Sequence, residues 1–311
     1  MTCIVDIGSY IPAGRESNYA KKTQFDIDDE FIRDKLGVEE VSRKAPDEET
    51  SDMCVKAHAD LEARLGRRIG AVDCLIVCTQ NPDGRGLPHT SAIVHGKLGL
   101  PQDCACFDVA LGCSGYVYGL SVIKSFMRDN GMSTGLLFTA DPYSKIIDPQ
   151  DKNTVLLFGD AATASLLQTQ GPPGAWVPGP FRFGTCGKDG GALENRNGTL
   201  HMSGRAVFNF SATAVPPQVT VLLKNAGFST SDIDLFLFHQ GSKFIVDQLV
   251  KRLDLPADKV PLNLAGQGNT VSSSLPLLLQ GRLDDSRLNR MLLSGFGVGL
   301  SWASCLLTRR Q

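Results

Sequence analysis

The apolar positions of the chain fall into two recurring patterns. Cys3–Ile11, Val72–Thr79, Gly135–Thr139, Ala161–Leu167 and Ile233–Phe238 are short, nearly continuous apolar runs. Their length and composition predict strands of a sheet covered on both faces. Between them lie stretches with helical spacing. In Ser51–Leu65, residues Met53, Cys54, Ala57, Leu61 and Leu65 form one face, and Lys56, Asp60, Glu62 and Arg64 form the other. His58 falls among the outward residues and is expected at the surface. Asp28 is placed to cap a short helix through Phe31, Ile32 and Leu36, with Gly37 as its stop. A second helix is expected through Ile93 and Leu98. The charged segment Val41–Thr50 reads as an exposed loop, and Val155–Phe158 as one more strand.

The stretch Cys104–Gly131 organises the rest. Cys104–Leu111 has the make-up of a buried strand, with Asp108 its single charge. Ser114–Met127 is too long for a second strand, and Tyr116, Val117, Leu120, Ile123 and Met127 share one helical face. Gly112-Cys113-Ser114-Gly115 makes the corner between them. A cysteine at a helix N-terminus meets unpaired N–H groups and the positive end of the dipole, which favour thiolate. Cys113 is therefore a candidate nucleophile and is expected to be the most reactive cysteine, although a small hydrophobe in a tight turn would look similar.

A Gly- and Pro-rich stretch around Gln168–Pro180 divides the chain into halves at 1–170 and 171–311. The second half repeats the first. GAVDCLIVCTQN (70–81) and TSDIDLFLFHQGS (230–242) share a loop, an acidic residue, an apolar strand and a reactive side chain. Helical stretches, 52–65 and 215–225, precede both. Two similar α/β halves follow from this. In the second half His239 ends a strand before Gln240-Gly241-Ser242, and a helix follows with Phe244, Ile245, Leu249 and Leu253 on one face. Asn269 lies in the turn Gly266-Gln267-Gly268-Asn269-Thr270. Taken singly, His239 reads equally as a hydrogen-bonded structural histidine and Asn269 as a turn residue.

Composition narrows the classes. A net charge of −2 over 311 residues, 42% of them hydrophobic, gives no footprint for nucleic acid. The nine cysteines are odd in number and sit mostly in apolar runs, as reduced thiols of a cytoplasmic protein do. No His cluster accompanies the Cys74/Cys78 or Cys104/Cys106 pairs, so no metal site is expected. The N-terminus lacks the make-up of a signal peptide, and no run approaches the length of a membrane span.

Cys113, His239 and Asn269 together resemble the β-ketoacyl-[acyl-carrier-protein] synthase III family of the thiolase superfamily. The resemblance extends through ALGCSGYVYGL at 110, FGDAATASLL at 158, HMSGRAVF at 201, FHQ at 238, GQGNT at 266 and GFGVGLSWAS at 295. It implies two duplicated halves in five layers, α-β-α-β-α, a homodimer, and neither metal nor cofactor. It also implies an acyl-cysteine at Cys113, with His239 and Asn269 acting on a malonyl-type extender held on a carrier protein. Backbone N–H groups of Cys113 and Val298 would form the oxyanion hole. Substrate contacts would fall to Phe31, Leu87, Lys152, Asn209, Lys243 and Phe244, the acyl donor being a coenzyme A or carrier-protein thioester.

The departures concern the binding surfaces. Phe31 stands where the family has a Trp for the coenzyme A adenine, Glu39 where it has an Arg, and Lys152 where it has another Arg. Leu87 takes the place of a large residue, often Phe, that crosses the dimer interface. The leading expectation is a decarboxylative condensing enzyme of a specialised pathway, favouring carrier-bound donors. Acyl transfer to a hydroxyl or amine, and a non-catalytic partner subunit, are the alternatives.

Overall fold

The computed structural model describes residues 1–310. Along the chain run β1 (Cys3–Tyr10), β2 (Gly14–Ser17), α1 (Lys22–Phe25), β3 (Glu40–Arg43), α2 (Thr50–Leu65), β4 (Cys74–Cys78), α3 (Thr90–Leu98) and β5 (Ala105–Val109). Then come α4 (Gly115–Asp129), β6 (Thr134–Ala140), α5 (Lys152–Val155), β7 (Ala162–Gln168) and β8 (Trp176–Thr185). The remainder is β9 (Leu193–Arg196), β10 (Thr199–Met202), α6 (Gly204–Ala226), β11 (Leu235–Phe238), α7 (Lys243–Leu253), α8 (Ser274–Gln280), β12 (Arg290–Gly297) and β13 (Ser301–Arg309).

Nine strands follow the order β11-β12-β13-β8-β1-β7-β6-β4-β5. The order contains the same four-strand unit twice, β4-β6-β7-β1 and β11-β12-β13-β8. In each unit the first pair is parallel and the next two are antiparallel. The units meet through one residue pair, Ile4 with Trp176. β5 is the extra strand of the first unit, parallel to β4 at the sheet edge.

The apolar residues of the helices decide how these units stack. On the outside of the first unit, Met53, Ala57 and Leu61 of α2 and Val94 of α3 cover Leu75, Val77, Leu136 and Phe138. On the outside of the second, Val215, Val219 and Leu222 of α6 and Val246 and Leu249 of α7 cover Phe236, Phe238 and Leu292. Between the units lie α4 and α8. Tyr116, Val117, Leu120, Leu275 and Leu278 pack against Ile4, Ile76 and Leu137 on one side and Leu237, Leu293 and Ala303 on the other. The five layers, α-β-α-β-α, are those the sequence implies. Each large apolar side chain in this middle layer contributes about 1.5–3 kcal/mol by burial, which explains why α4 carries so few charges.

Several local expectations are corrected. Val41–Thr50 is an exposed loop only at Ala45–Asp47: Glu40–Arg43 forms β3, and Val41, Ser42, Glu48 and Thr50 are buried. Val155–Phe158 is not a strand. Asp151 accepts from the backbone N–H of Asn153 and the hydroxyl of Thr154, starting α5 instead. His58 is buried and stacks on Phe138, with ring centroids 6.5 Å apart. β5 is half-buried rather than buried, because no strand lies beyond it. In α7 the fully buried residues are Val246 and Leu249, while Phe244 is partly exposed beside the Phe208 ring. Finally, the 23-residue α6 is long and apolar enough to cross a membrane (mean hydropathy 1.3 over its best window). It lies against the second sheet with one face in the core.

Candidate active site

Cys113 sits where β5 turns into α4, directly before the N-cap Ser114. Two glycines make room for it. A Cβ on Gly112 would lie 2.5 Å from Oε1 of Gln80, and one on Gly297 would lie 2.6 Å from the Cys113 sulfur. Ser114 Oγ and Ser301 Oγ, 2.6 Å apart, tie the corner to β13. The residue is 2% exposed. Burial pushes its thiol up to about 12, against the pull of the Val298 N–H and its own N–H, with the Asp141 carboxylate adding to the rise. The expected thiolate is therefore corrected: a helix dipole supplies at most about 2 kcal/mol, and desolvation exceeds it.

His239 follows β11, its N–H donating to the Ser294 carbonyl at 2.8 Å. Its Nδ1 is 2.7 Å from Ser274 Oγ, and the Phe296 ring meets it edge-on at 5.5 Å. Burial lowers the imidazole to about 3, with the Val271 backbone acting against the fall, so the ring is neutral at pH 7. Asn269 is anchored between Leu157 and Gly159 by backbone hydrogen bonds of 2.8 and 3.0 Å. Its Oδ1 accepts from the Val271 N–H at 2.9 Å, which turns Nδ2 towards His239 Nε2 at 3.4 Å. Val271, a β-branched residue, holds φ at 53°. Such left-handed backbone costs on the order of 1–3 kcal/mol, and here it aims the Asn269 amide. Beneath this loop, Asp141 accepts from Ser272 Oγ at 2.6 Å and from the Gln80 N–H at 2.7 Å. Burial raises its carboxyl to about 6.

Cys113, His239 and Asn269 line one cavity of about 180 Å³. Of the expected substrate contacts, Phe31, Lys152 and Phe244 line it too. Lys152 Nζ lies 4.9 Å over the Phe31 ring and donates to the Phe25 carbonyl. Three expected contacts lie elsewhere. Lys243 pairs with Asp247 in a neighbouring groove beside Glu39. Asn209 lines a separate cleft with Cys186 and Trp302. Leu87 stands on a surface loop, 93% exposed. Arg43, an alternative cation for a nucleotide, is engaged by Glu16 and the carbonyls of Phe158 and Val155. Sequence reasoning missed the apolar wall formed by Leu193, Met202, Val207, Phe208 and Phe296. It also missed Ser274; its place one turn after Asn269 at a helix start was the available signal.

Comparison with known proteins agrees with this arrangement. Residues 107–183 match the family model 3-oxoacyl-[acyl-carrier-protein (ACP)] synthase III, and residues 223–309 match the model of its C terminal. The β-ketoacyl-[acyl-carrier-protein] synthase III of Neisseria meningitidis serogroup B is 32% identical, covering 96% of this chain and 97% of its own. The chain belongs to the 3-oxoacyl-[acyl-carrier-protein] synthase III family. A crystal structure of a 3-oxoacyl-(acyl-carrier-protein) synthase III superposes with a TM-score of 0.92 at 35% identity, over 99% of both chains. The priming β-ketosynthase of the R1128 polyketide pathway gives 0.88 at 27% identity, over 100% of this chain and 97% of its own. This synthase III family member thus has the thiolase fold and is a condensing acyltransferase of the ketosynthase III type.

Proposed function

We propose that this enzyme joins an acyl thioester to a malonyl-type thioester by decarboxylative Claisen condensation, residues 1–170 supplying the nucleophile and 171–311 the extender site. The observation that carries the reading is the convergence of Cys113, His239 and Asn269 on one apolar-walled cavity. The Cys113 sulfur attacks the acyl carbonyl, and its proton leaves on the departing carrier thiol, which closes the proton balance for a thiol that rests protonated. N–H groups of Cys113 and Val298 hold the tetrahedral oxyanion. The extender then loses carbon dioxide. His239 and Asn269 donate to its thioester oxygen as the enolate forms, each donor being worth about 2.7–4 kcal/mol. The enolate carbon attacks the acyl carbon, and Cys113 leaves and takes up a proton.

Carrier-bound donors fit the mouth better than free coenzyme A. The Lys152 ammonium already rests on the face of Phe31, where a nucleobase would have to displace it. Glu39 lies in the neighbouring groove and would repel a phosphate. These changes support a specialised pathway. A second copy of the chain would cover the rings of Phe107, Tyr118, Phe126 and Phe183 and the unpaired edge of β5. In that homodimer Leu87 would border the partner's acyl cavity.

The test is intact-protein mass after incubation with acyl thioesters, with and without malonyl carrier protein. Acylation at Cys113 discharged as a 3-oxoacyl product is expected, and His239→Ala and Asn269→Ala should acylate without condensing. Discharge by an alcohol or amine alone would establish plain acyl transfer. No acylation would leave a non-catalytic subunit.

A further inference from the structure

The apolar packing around the nucleophile is interrupted by a polar pair, Gln80 and Tyr143. Tyr143 is 2% exposed and shares a cluster with Cys113, Leu193, Leu200, Val271 and Val298. Its ring lies 4.9 Å from that of Phe158, which lines the cavity together with Leu193. Its hydroxyl donates to Gln80 Oε1 at 3.0 Å. Burial, with the Cys113 and Asp141 charges nearby, raises the phenol, so it keeps its proton. Gln80 is half-buried, and its backbone N–H donates to Asp141 at 2.7 Å. None of the reaction steps at Cys113 uses this pair.

The Gln80 carboxamide stands at the reacting centre. A Cβ on Gly112, which would lie 2.5 Å from its Oε1, would also lie 2.8 Å from Cγ1 of Val298 and 3.2 Å from Cγ1 of Val271. The amide thus adjoins the residue before the nucleophile, the valine whose N–H reaches the Cys113 sulfur, and the valine that aims Asn269. Tyr143 takes up Oε1, whereas Nε2 has no hydrogen-bond partner among the described residues. Leucine and phenylalanine would fill the same space without leaving an amide edge unpaired.

We propose that Gln80 and Tyr143 select the acyl group, favouring chains that carry a hydroxyl on the carbons next to the thioester. The inference rests on the acylation of Cys113 described above. The hydroxyl oxygen accepts from Gln80 Nε2, and its hydrogen goes to Oη of Tyr143, whose own proton is committed to Gln80. One hydroxyl thereby meets a donor and an acceptor. A ketone at the same carbon meets only the donor, and a methylene meets neither. Because the amide adjoins the backbone of Gly112, it reaches the first carbons of the chain rather than its end. An apolar site with a few placed polar groups discriminates well against a ligand that leaves those groups unpaired.

The experiment follows the rate of Cys113 acylation in the full-length protein by intact mass. The donors are carrier-bound butanoyl, 3-oxobutanoyl and each enantiomer of 3-hydroxybutanoyl, with propanoyl and lactoyl as a second set that moves the oxygen to the second carbon. A hydroxylated donor from one set is expected to acylate about tenfold or more faster than its plain counterpart. Gln80→Met should bring that ratio close to one. In Tyr143→Phe the hydroxyacyl group should lose its advantage over the 3-oxoacyl group, which needs only the amide. Equal rates for hydroxylated and plain donors in the wild type, or a ratio that survives Gln80→Met, would overturn the proposal and leave the condensing reading standing. Equal losses for every donor in Gln80→Met would overturn it too, since the pair would then only support the fold. Absence of acylation by any donor would remove the condensing reading, and this inference with it.

Discussion

At the scale of single residues, the position of one proton decides what His239 can do. Ser274 Oγ has one hydrogen and two acceptors within reach, His239 Nδ1 at 2.7 Å and the Val271 carbonyl at 3.0 Å. When it donates to Nδ1, the neutral ring carries its proton on Nε2, beside the Asn269 amide. When it turns to Val271, the ring proton moves to Nδ1, and Nε2 presents a lone pair to the incipient enolate. Ser274→Ala removes the first arrangement. Condensation should fall by on the order of 10²-fold while Cys113 acylation is kept, with Ser274→Thr restoring activity. Imidazole ¹⁵N shifts should report the Nδ1–H tautomer in the alanine variant. Equal losses in both half-reactions would mean that Ser274 merely supports the fold. Acid stability tests His239 itself. Its folded value of about 3 lies below the ordinary 6.5, so the unfolded chain binds the proton first. Its contribution is complete above about pH 6.5 and is lost as the pH falls towards 3, by at most about 1.4 kcal/mol per pH unit. His58, lowered by burial, acts in the same direction. His239→Gln should flatten the decline in urea midpoint between pH 6.5 and 4, and an unchanged slope would show that the ring is protonated in the folded state.

At the scale of elements, the sequence was most informative where burial is one-sided or complete. α2 and α4 were legible because Met53–Leu61 and Tyr116–Met127 repeat at helical spacing. β4 was legible because both its faces are covered. The π-helical turn Phe31–Leu36 was signalled by Asp28, which accepts from the Phe31 N–H at 2.7 Å, and by Gly37 at φ 72°. Two failures come from contacts supplied from far along the chain, whereas the expected strand Val155–Phe158 yields to a local one, the Asp151 cap that starts α5. Ser42 is buried because its hydroxyl donates to the Asp160 carbonyl, 118 residues away. His58 sits on the polar side of α2 by periodicity, yet meets Phe138 of β6. Among the catalytic candidates, Cys113 was marked by its strand–helix corner, and all three were found by motif. The wall of their cavity was not, since Leu193, Met202 and Phe208 come from a short hairpin and the start of α6, which carry no distinctive period.

At the scale of the whole molecule, the first unit ends in a strand without a neighbour, flanked by aromatic residues. Phe183 is 45% exposed against Tyr118, with ring centroids 4.7 Å apart, and Val122 is exposed on the same helix as Tyr118. Covering this face with a second copy predicts that Phe183→Asp converts a dimer into monomers in sedimentation. Acylation by long donors should weaken with it, because Leu87 would no longer border the partner's cavity. A wild-type monomer, or a dimer indifferent to Phe183→Asp, would remove this face from the assembly. The twin strand units have a mechanical consequence as well. Cys113 precedes α4 after β5 of the first unit and His239 follows β11 of the second, while Asn269 lies on the approach to α8. The Asn269 backbone is clasped by Leu157 and Gly159, and the Ser272 hydroxyl donates to Asp141, so the extender site is fastened to the frame that carries Cys113. The gap that the new carbon–carbon bond must cross is set by that clasp. Substitutions that loosen it should act on bond formation like a change in the spacing of a vice, with neither jaw altered.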